Sequence, residues 1–243
     1  MLYDRNCEKA KIDMDLMIYV NHGDCGKIFT DGHIMLKKYY FETESRYRLK
    51  QSIFDTLKCI DNPHLVELYD VYSDMTLLTL FAYKMSISKF HIDAYTAKYY
   101  PNDSVNVLEM EIDYLIDNFK ELEALFEIFT KHSIIVHDVK RENAILGKNS
   151  IVIIDPDCFN LTKLPEDVLK THNKRELLTL FRDICLDCIV RKLDYKTFKM
   201  YYLDIVQKIA ELSEIKIDEN TEVVHELSKK LGSVRKPIDY FRR

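Results

Sequence analysis

The chain has 243 residues, of which 47% are hydrophobic and 31% are charged. A chain of this length and composition can bury a substantial core, which excludes a disordered protein and leaves one large domain or two small lobes that share a cleft. The formal net charge is −5, and no run of Lys and Arg is long enough to follow a phosphate backbone, so nucleic acid is not expected as a partner.

The ends of the chain and its cysteines indicate a cytoplasmic protein. The N-terminal residues MLYDRNCEKAKID are charged throughout and lack the apolar core of a secretory signal, and no stretch approaches the ~18 apolar residues that cross a bilayer. The six cysteines are scattered, which fits a reducing compartment. Cys185 and Cys188 form a C-x-x-C within a helical apolar pattern, and no second Cys/His pair completes a zinc set, so we interpret them as packing residues.

The first third of the chain is predicted to be rich in strands. Strand-like runs at about 15–20, 26–30 and 33–40 are separated by NHGDCG and by the turn dipeptide DG, which indicates two consecutive hairpins. An amphipathic helix follows, with Leu49, Ile53, Leu57 and Ile60 at helical spacing. The segments HLVELYDVYS and MTLLTLFAYK then predict two more strands, which makes five strands and one helix by about residue 84.

The rest of the chain is predicted to be mainly helical. Residues 86–105 are polar and rich in Tyr, and their pattern assigns no element. The next segment places an apolar stripe on one face of a helix, formed by Leu115, Phe119, Leu122, Phe126 and Phe129. Two strand-like pieces around a loop follow, and helical patterns dominate from Arg175 to about Leu231.

The loop between these two pieces carries the chemistry. In IIVHDVKRENAILGKNSIVIIDPDCF, Lys140 and Asn143 follow Asp138 by two and five residues, and Asp155 leaves the next strand. If the loop curls, all four side chains point at one spot. Phosphoryl transfer needs such a set: an acid for the attacking hydroxyl, a cation for the phosphate charge and two oxygen ligands for Mg²⁺.

At these residues the sequence resembles the protein kinase superfamily. VHDVKRENAIL is similar to the catalytic loop, with the Lys of the serine/threonine pattern, and IIDPD is similar to the metal-binding segment that opens with Asp-Phe-Gly. The resemblance implies an α+β, bilobal kinase-like fold. Its small N-lobe, residues 1–84, would have a five-stranded antiparallel sheet and one helix, and its C-lobe, residues 85–243, would be mainly helical.

Further segments match the kinase order upstream of the loop. GDCGKIF resembles a shortened glycine-rich loop, with Gly23 and Gly26 near the phosphates, and IMLKK places Lys37 at the phosphate-binding lysine. The hinge between the lobes would fall near Ala82 to Met85, with Ala82 and Tyr83 in contact with the nucleotide. The resemblance implies ATP with Mg²⁺, or alternatively Mn²⁺, as cofactors, Asp138 and Lys140 as catalytic residues, and a protein as substrate or partner.

Several positions depart from the kinase pattern. Ile53 stands where the helix usually offers a Glu to the strand lysine, so Lys37 needs another partner, for which Glu44 and Asp155 are candidates. His137 replaces the Arg that usually pairs with a phosphorylated activation loop. Asp157 replaces the Gly of Asp-Phe-Gly, and its extra carboxylate is a candidate metal ligand, for a second ion, beside Asn143 and Asp155.

The alternatives differ in class. The missing helix Glu favours a pseudokinase that keeps the fold as a nucleotide-binding or protein-binding scaffold. The dipeptide His137-Asp138 also occurs in metal phosphohydrolases, but these need further upstream His ligands, of which only His132 is close. The simplest structural interpretation is a surface loop followed by a buried strand, with Gly23 and Gly26 in an ordinary turn and Lys37 solvated at a sheet edge.

Overall fold

A computed structural model of the chain describes residues 1–101, 103 and 112–190. The protein is α+β, with a six-stranded antiparallel sheet, two small hairpin-like sheets and four α-helices in this part of the chain. None of these helices has an apolar stretch long enough to cross a membrane. The helical pattern that continues to about residue 231, and the side chains of Cys185 and Cys188, lie outside the described residues.

The large sheet has the strand order β1-β5-β6-β4-β3-β2, and every neighbouring pair is antiparallel. Its strands are β1 (Leu2–Tyr3), β2 (Ile18–His22), β3 (Gly26–Thr30), β4 (Ile34–Tyr39), β5 (Leu68–Asp74) and β6 (Ala94–Lys98). Strand β4, which carries Lys37, lies inside the sheet between β3 and β6. Lys37 is therefore not at a sheet edge.

The prediction of five strands is wrong in three places, the first of which is the two-residue strand β1, which was not predicted. MTLLTLFAYK forms helix α2 (Leu77–Lys84), and the Oγ1 of Thr76 caps it by accepting a hydrogen bond from the backbone N–H of Thr79. A short apolar run without clear periodicity fits a strand or a helix equally well, and here the cap favours the helix. The unassigned segment contributes β6 to the sheet, so the sheet extends beyond residue 84.

The predicted helices are confirmed as far as residue 190. Helix α1 (Gln51–Lys58) buries Ile53, Phe54 and Leu57, and α3 (Ile112–Lys131) buries the whole predicted stripe. Helix α4 (Glu166–Val190) packs along α3, where the rings of Phe119 and Phe181 meet edge to face with centroids 5.0 Å apart. One buried apolar cluster joins these helices to the large sheet.

Two short antiparallel pairs position the predicted loop. Strand β7 (Ile134–Ile135) pairs with β10 (Asn160–Leu161), and β8 (Ala144–Leu146) pairs with β9 (Ile151–Ile153). The backbone of Ile153 exchanges hydrogen bonds with the segment after α1, donating to the carbonyl of His64 and accepting from the amide of Val66. The connection from β7 to β8 and the segment after β9 therefore emerge side by side beneath the sheet.

Candidate functional site

The loop after β7 holds Asp138 in a fixed and unusual conformation. Its φ angle is 58°, in the left-handed region that non-glycine residues rarely adopt. The side-chain nitrogen of Asn143 donates to the backbone carbonyl of Asp138 at 2.8 Å and to its carboxylate at 3.2 Å. Lys140 Nζ lies 2.9 Å from the other carboxylate oxygen of Asp138. Such a conformation costs about 1–3 kcal/mol and persists only where the surroundings enforce it, as these bonds do.

Asp155 reaches the same place from the end of β9. The amide of Ile154 donates to the carbonyl of Asn143 at 3.0 Å, which ties the two segments together. All four predicted side chains, Asp138, Lys140, Asn143 and Asp155, line one cleft of about 440 Å³ beneath the sheet. The convergence expected from their spacing is therefore present.

Lys37 enters this cleft from the sheet and meets two carboxylates. Its Nζ lies 2.7 Å from Oδ2 of Asp155 and 2.8 Å from Oδ2 of Asp157. The second contact is an ion pair without the alignment of a hydrogen bond. The hydroxyl of Tyr39 donates to the other Asp157 oxygen at 2.7 Å and accepts from the amide of Leu49 at 2.9 Å. Lys37 and Asp157 are 7% and 5% exposed, so this network is buried.

The network shifts the ionisation of its members. Burial alone would lower the pKa of Lys37, but the charges of Asp157 and Asp155 outweigh it and raise that pKa above its ordinary value. Burial, together with the charge of Asp155, raises the pKa of Asp157 to about 7, although Lys37 and Tyr39 act in the opposite direction. Lys37 is therefore held as a cation, whereas Asp157 takes up a proton more readily than an ordinary aspartate.

The other candidate partners of Lys37 are engaged elsewhere. Ile53 of α1 is fully buried in the core, and Asp55 pairs with Arg5 at 2.8 Å. Glu44 pairs with Arg46 at 2.9 Å. Asp157 is thus a second and more deeply buried partner of Lys37, beside Asp155.

The two predicted glycines differ in role. Gly23, with Asp24 and Cys25, lines the cleft from the turn between β2 and β3, and a Cβ added there would meet nothing within 4 Å. Gly26 does not line the cleft, and a Cβ on it would lie 2.4 Å from the carbonyl oxygen of Lys38 on β4. Close packing of two strands therefore requires Gly26, and its predicted contact with phosphate is not supported.

The predicted hinge residues lie away from the cleft. Ala82 and Tyr83 belong to α2, and the hydroxyl of Tyr83 donates to the backbone carbonyl of Arg5 at 3.3 Å. Neither residue lines the cleft, whereas 99–101, directly after β6, do. The prediction of a hinge at Ala82 and Tyr83 rested on taking α2 for the last strand of the sheet.

Only some of the predicted metal ligands suit a metal ion. Asn143 uses its amide nitrogen on Asp138, which leaves its oxygen as the donor atom, and Asp155 is 30% exposed at the cleft. Hard cations such as Mg²⁺ prefer carboxylate and amide oxygens, so these two residues fit. Asp157 fits poorly, because it is buried and both of its oxygens face Tyr39 or Lys37.

Sequence reasoning missed several aromatic residues of the site, among them Tyr39, Tyr95 and Tyr99. Tyr39 follows Lys37 by two residues on β4 and therefore shares its face, so strand periodicity could have indicated it. Tyr95 pairs with Lys37 across the sheet and is fully buried. Its burial is the main reason that the Tyr95 pKa is raised, and the charge of Asp157 acts in the same direction. No local signal pointed to Tyr95 or to Tyr99, because their segment was unassigned.

His137 also has a neighbour that the sequence did not reveal. Its ring meets that of His172 on α4 at a centroid distance of 4.8 Å. Burial is the main cause that lowers the pKa of His137, and the charge of His172 acts in the same direction.

Neither a known protein-family model nor a curated protein matches the chain.

Proposed function

We propose that this protein is an ATP- and Mg²⁺-dependent phosphotransferase, most closely an atypical protein serine/threonine kinase. One observation carries the proposal: Lys37 of strand β4 lines one cleft with Asp138, Asn143 and Asp155, which come from a single segment far along the chain. A buried cation and oxygen donors for a hard metal, opposite a half-exposed acid, are the parts that phosphoryl transfer requires.

Each residue has a role in this proposal. Lys37 binds the phosphates of ATP, and the backbone of 23–25 covers them. Asn143 and Asp155 hold the metal, which supplies charge neutralisation at the transferred phosphoryl group when bound. Asp138, 45% exposed, orients the acceptor hydroxyl, and Lys140 places its positive charge beside it. The Lys140 pattern favours a protein hydroxyl as acceptor.

Asp157 and Tyr39 have positioning roles in the same proposal. A lysine that binds phosphate must be held at a defined place, and kinase-like enzymes usually hold it with a helix acid. Here Asp157 lies 2.8 Å from Lys37 and is itself fixed by the Tyr39 hydroxyl. The missing helix Glu is therefore compatible with catalysis.

The second candidate function is a pseudokinase that acts as a scaffold. The observation that favours it is the occupation of the polar groups by one another: Lys37 already contacts two carboxylates, and Asp138 already contacts Lys140 and Asn143. A ligand must compete with these contacts. The same observation is expected of an enzyme whose site is closed before nucleotide binds, so turnover decides between the two.

Phosphate transfer from labelled ATP tests the proposal. The purified chain is incubated with γ-labelled ATP, Mg²⁺ or Mn²⁺, and generic protein substrates, beside Asp138→Asn. We expect transfer by the wild type and a loss of about 10²-fold or more in the variant, since a positioned acid contributes that much. The control Asp117→Asn changes an exposed acid on α3 and should keep wild-type activity.

Nucleotide binding separates the outcomes. ATP should stabilise the wild type against heat only when Mg²⁺ is present, and Asp155→Asn should remove the Mg²⁺ dependence. Stabilisation without transfer identifies the scaffold. If ATP neither stabilises the protein nor is turned over, the phosphotransferase and the nucleotide-binding form of the scaffold are both wrong.

A further inference from the structure

A cluster of metal-binding side chains lies outside the cleft. His137 follows β7, and His172 and Glu176 are one turn apart on α4, so the latter two share a helix face. Their ligand atoms all lie within 4.8 Å of one another, and all three residues are half-buried. None of the three lines the cleft that contains Asp155, so the cluster is a separate feature.

The orientation of His172 is already fixed. Its Nε2 lies 2.9 Å from the carbonyl oxygen of Val136. A carbonyl oxygen only accepts, so Nε2 carries the hydrogen and donates it, which leaves the lone pair on Nδ1. Histidines that bind metals in proteins usually donate their second ring nitrogen to a carbonyl or carboxylate in this way.

The backbone around the cluster is also held rigidly. Asn173, which follows His172 in the chain, is buried. Its side-chain oxygen accepts a hydrogen bond from the backbone N–H of Val136 at 3.1 Å. Its side-chain nitrogen donates to the carbonyl of Ile134 at 2.9 Å. The segment that carries His137 is thus hydrogen-bonded to the helix that carries His172 and Glu176. The backbone positions of the three ligands are therefore already fixed before a metal binds.

Two imidazoles and one carboxylate select a class of metal. Nitrogen ligands favour Zn²⁺ and the neighbouring first-row divalent ions, whereas Mg²⁺ prefers oxygen alone. Glu176 supplies a negative charge, and Lys50 lies near enough to His137 to oppose a cation weakly. Three protein ligands leave a fourth position of a tetrahedral ion for water.

We propose that His137, His172 and Glu176 form a binding site for Zn²⁺ or a similar first-row divalent metal. The bound metal links α4 to the residue directly before Asp138, and so stabilises the loop that carries that acid. The site does not depend on the proposed phosphotransferase function, because its ligands and its metal class differ from those of Asn143 and Asp155.

Cobalt substitution tests this site with the full chain. Metal-stripped protein is titrated with Co²⁺ and then with competing Zn²⁺, and visible absorption reports the ligands. We expect one Co²⁺ per chain with d–d bands and no thiolate-to-cobalt charge transfer, which separates this site from the cysteines. Zn²⁺ should displace Co²⁺, whereas Mg²⁺ should not.

Variants locate the metal. Glu176→Gln and His137→Ala should each weaken metal affinity at least about tenfold, since even indirect metal contacts are worth that much. Glu176→Gln keeps the side-chain volume and the His172 bond, so its metal-free thermal midpoint should match that of the wild type. His132→Ala, a change of an exposed histidine at the end of the α3 segment, should leave metal affinity unchanged.

Three results would overturn the site: no bound Co²⁺, a thiolate band in the spectrum, or full affinity in both Glu176→Gln and His137→Ala.

Discussion

Two neighbouring lysines illustrate how strand geometry divides chemical roles at the scale of single residues. Lys37 and Lys38 follow one another on β4, so their side chains point to opposite faces of the sheet. Lys37 is buried against Asp155 and Asp157, whereas Lys38 forms an exposed ion pair with Asp74 at 2.8 Å. The same side-chain chemistry therefore has different energetic consequences at the two positions.

Replacement of each lysine by Met should reveal this difference. Lys37→Met leaves two carboxylates without their buried cation, so we expect the free energy of unfolding to fall by about 3–5 kcal/mol. Lys38→Met is the matched control and should cost less than about 1 kcal/mol, because its pair is exposed to solvent. Urea denaturation followed by far-UV circular dichroism measures both values. Equal losses would mean that the buried ion-pair network is absent.

Asp157 should impose a pH dependence on stability. Its pKa is about 7 in the folded chain and ordinarily 3.8. Between these values the unfolded chain releases the proton and the folded chain keeps it, so this residue lowers stability as pH rises from about 4 to about 7. In Asp157→Asn this contribution disappears.

The difference between the two proteins isolates the effect. The free energy of unfolding of Asp157→Asn minus that of the wild type should increase from pH 4 to pH 7, by on the order of a few kcal/mol. Denaturation at a series of pH values measures it. A flat difference for Asp157→Asn would show that the carboxyl is not buried as described.

At the scale of elements, the hairpin of β3 and β4 supports the edge of the cleft. Its strands pair from Gly26 opposite Tyr39 to Thr30 opposite Met35, which places Lys37 opposite Ile28. The close approach at Gly26 sets the position of β4, and so of Lys37, relative to the turn at 23–25. Gly23, by contrast, has open space around its Cα.

The two glycines should therefore respond differently to Ala. Gly26→Ala introduces a Cβ 2.4 Å from the backbone oxygen of Lys38, so we expect a loss of about 1–3 kcal/mol, typical of overpacking. Gly23→Ala should leave the free energy of unfolding within about 0.5 kcal/mol of the wild-type value. Thermal denaturation compares them directly, and a stable Gly26→Ala protein would contradict the described strand register.

At the scale of the whole molecule, the sheet and the helices share one core. The largest buried cluster includes Tyr95 of the sheet, Phe54 of α1, and Phe129 and Phe159 beneath it. The rings of Phe129 and Phe159 meet with centroids 5.5 Å apart. Among the residues that the structure describes, this continuous apolar cluster joins the sheet to the helical part.

This shared core should make unfolding cooperative. We expect urea transitions followed by tyrosine near-UV signals and by far-UV circular dichroism to coincide, since removal of either part exposes the core of the other. Leu180→Ala, a fully buried change on α4, should shift both transitions equally and by about 2–5 kcal/mol. Two separated transitions would indicate that the sheet and the helices fold independently.

The sequence by itself determined the elements with local signals. Strands β3 and β4 follow from alternation and the DG turn, and the buried face of α3 follows from its spacing, because these patterns depend only on residues close in the chain. The spacing of Asp138, Lys140 and Asn143 likewise indicated a curled polar loop. The prediction of elements from the sequence failed at α2, where an apolar run without periodicity gave no way to choose between strand and helix.

Only the tertiary structure decided which side chains meet. Lys37 and Asp155 are 118 residues apart in the chain, and nothing local to Lys37 distinguishes Asp155 and Asp157 from Asp55 or Glu44. The contact of His137 with His172 and the replacement of α2 by 99–101 at the cleft edge arise in the same way. Packing of distant elements fixes these pairs, because the free energy of each contact depends on burial that exists only after the chain has folded.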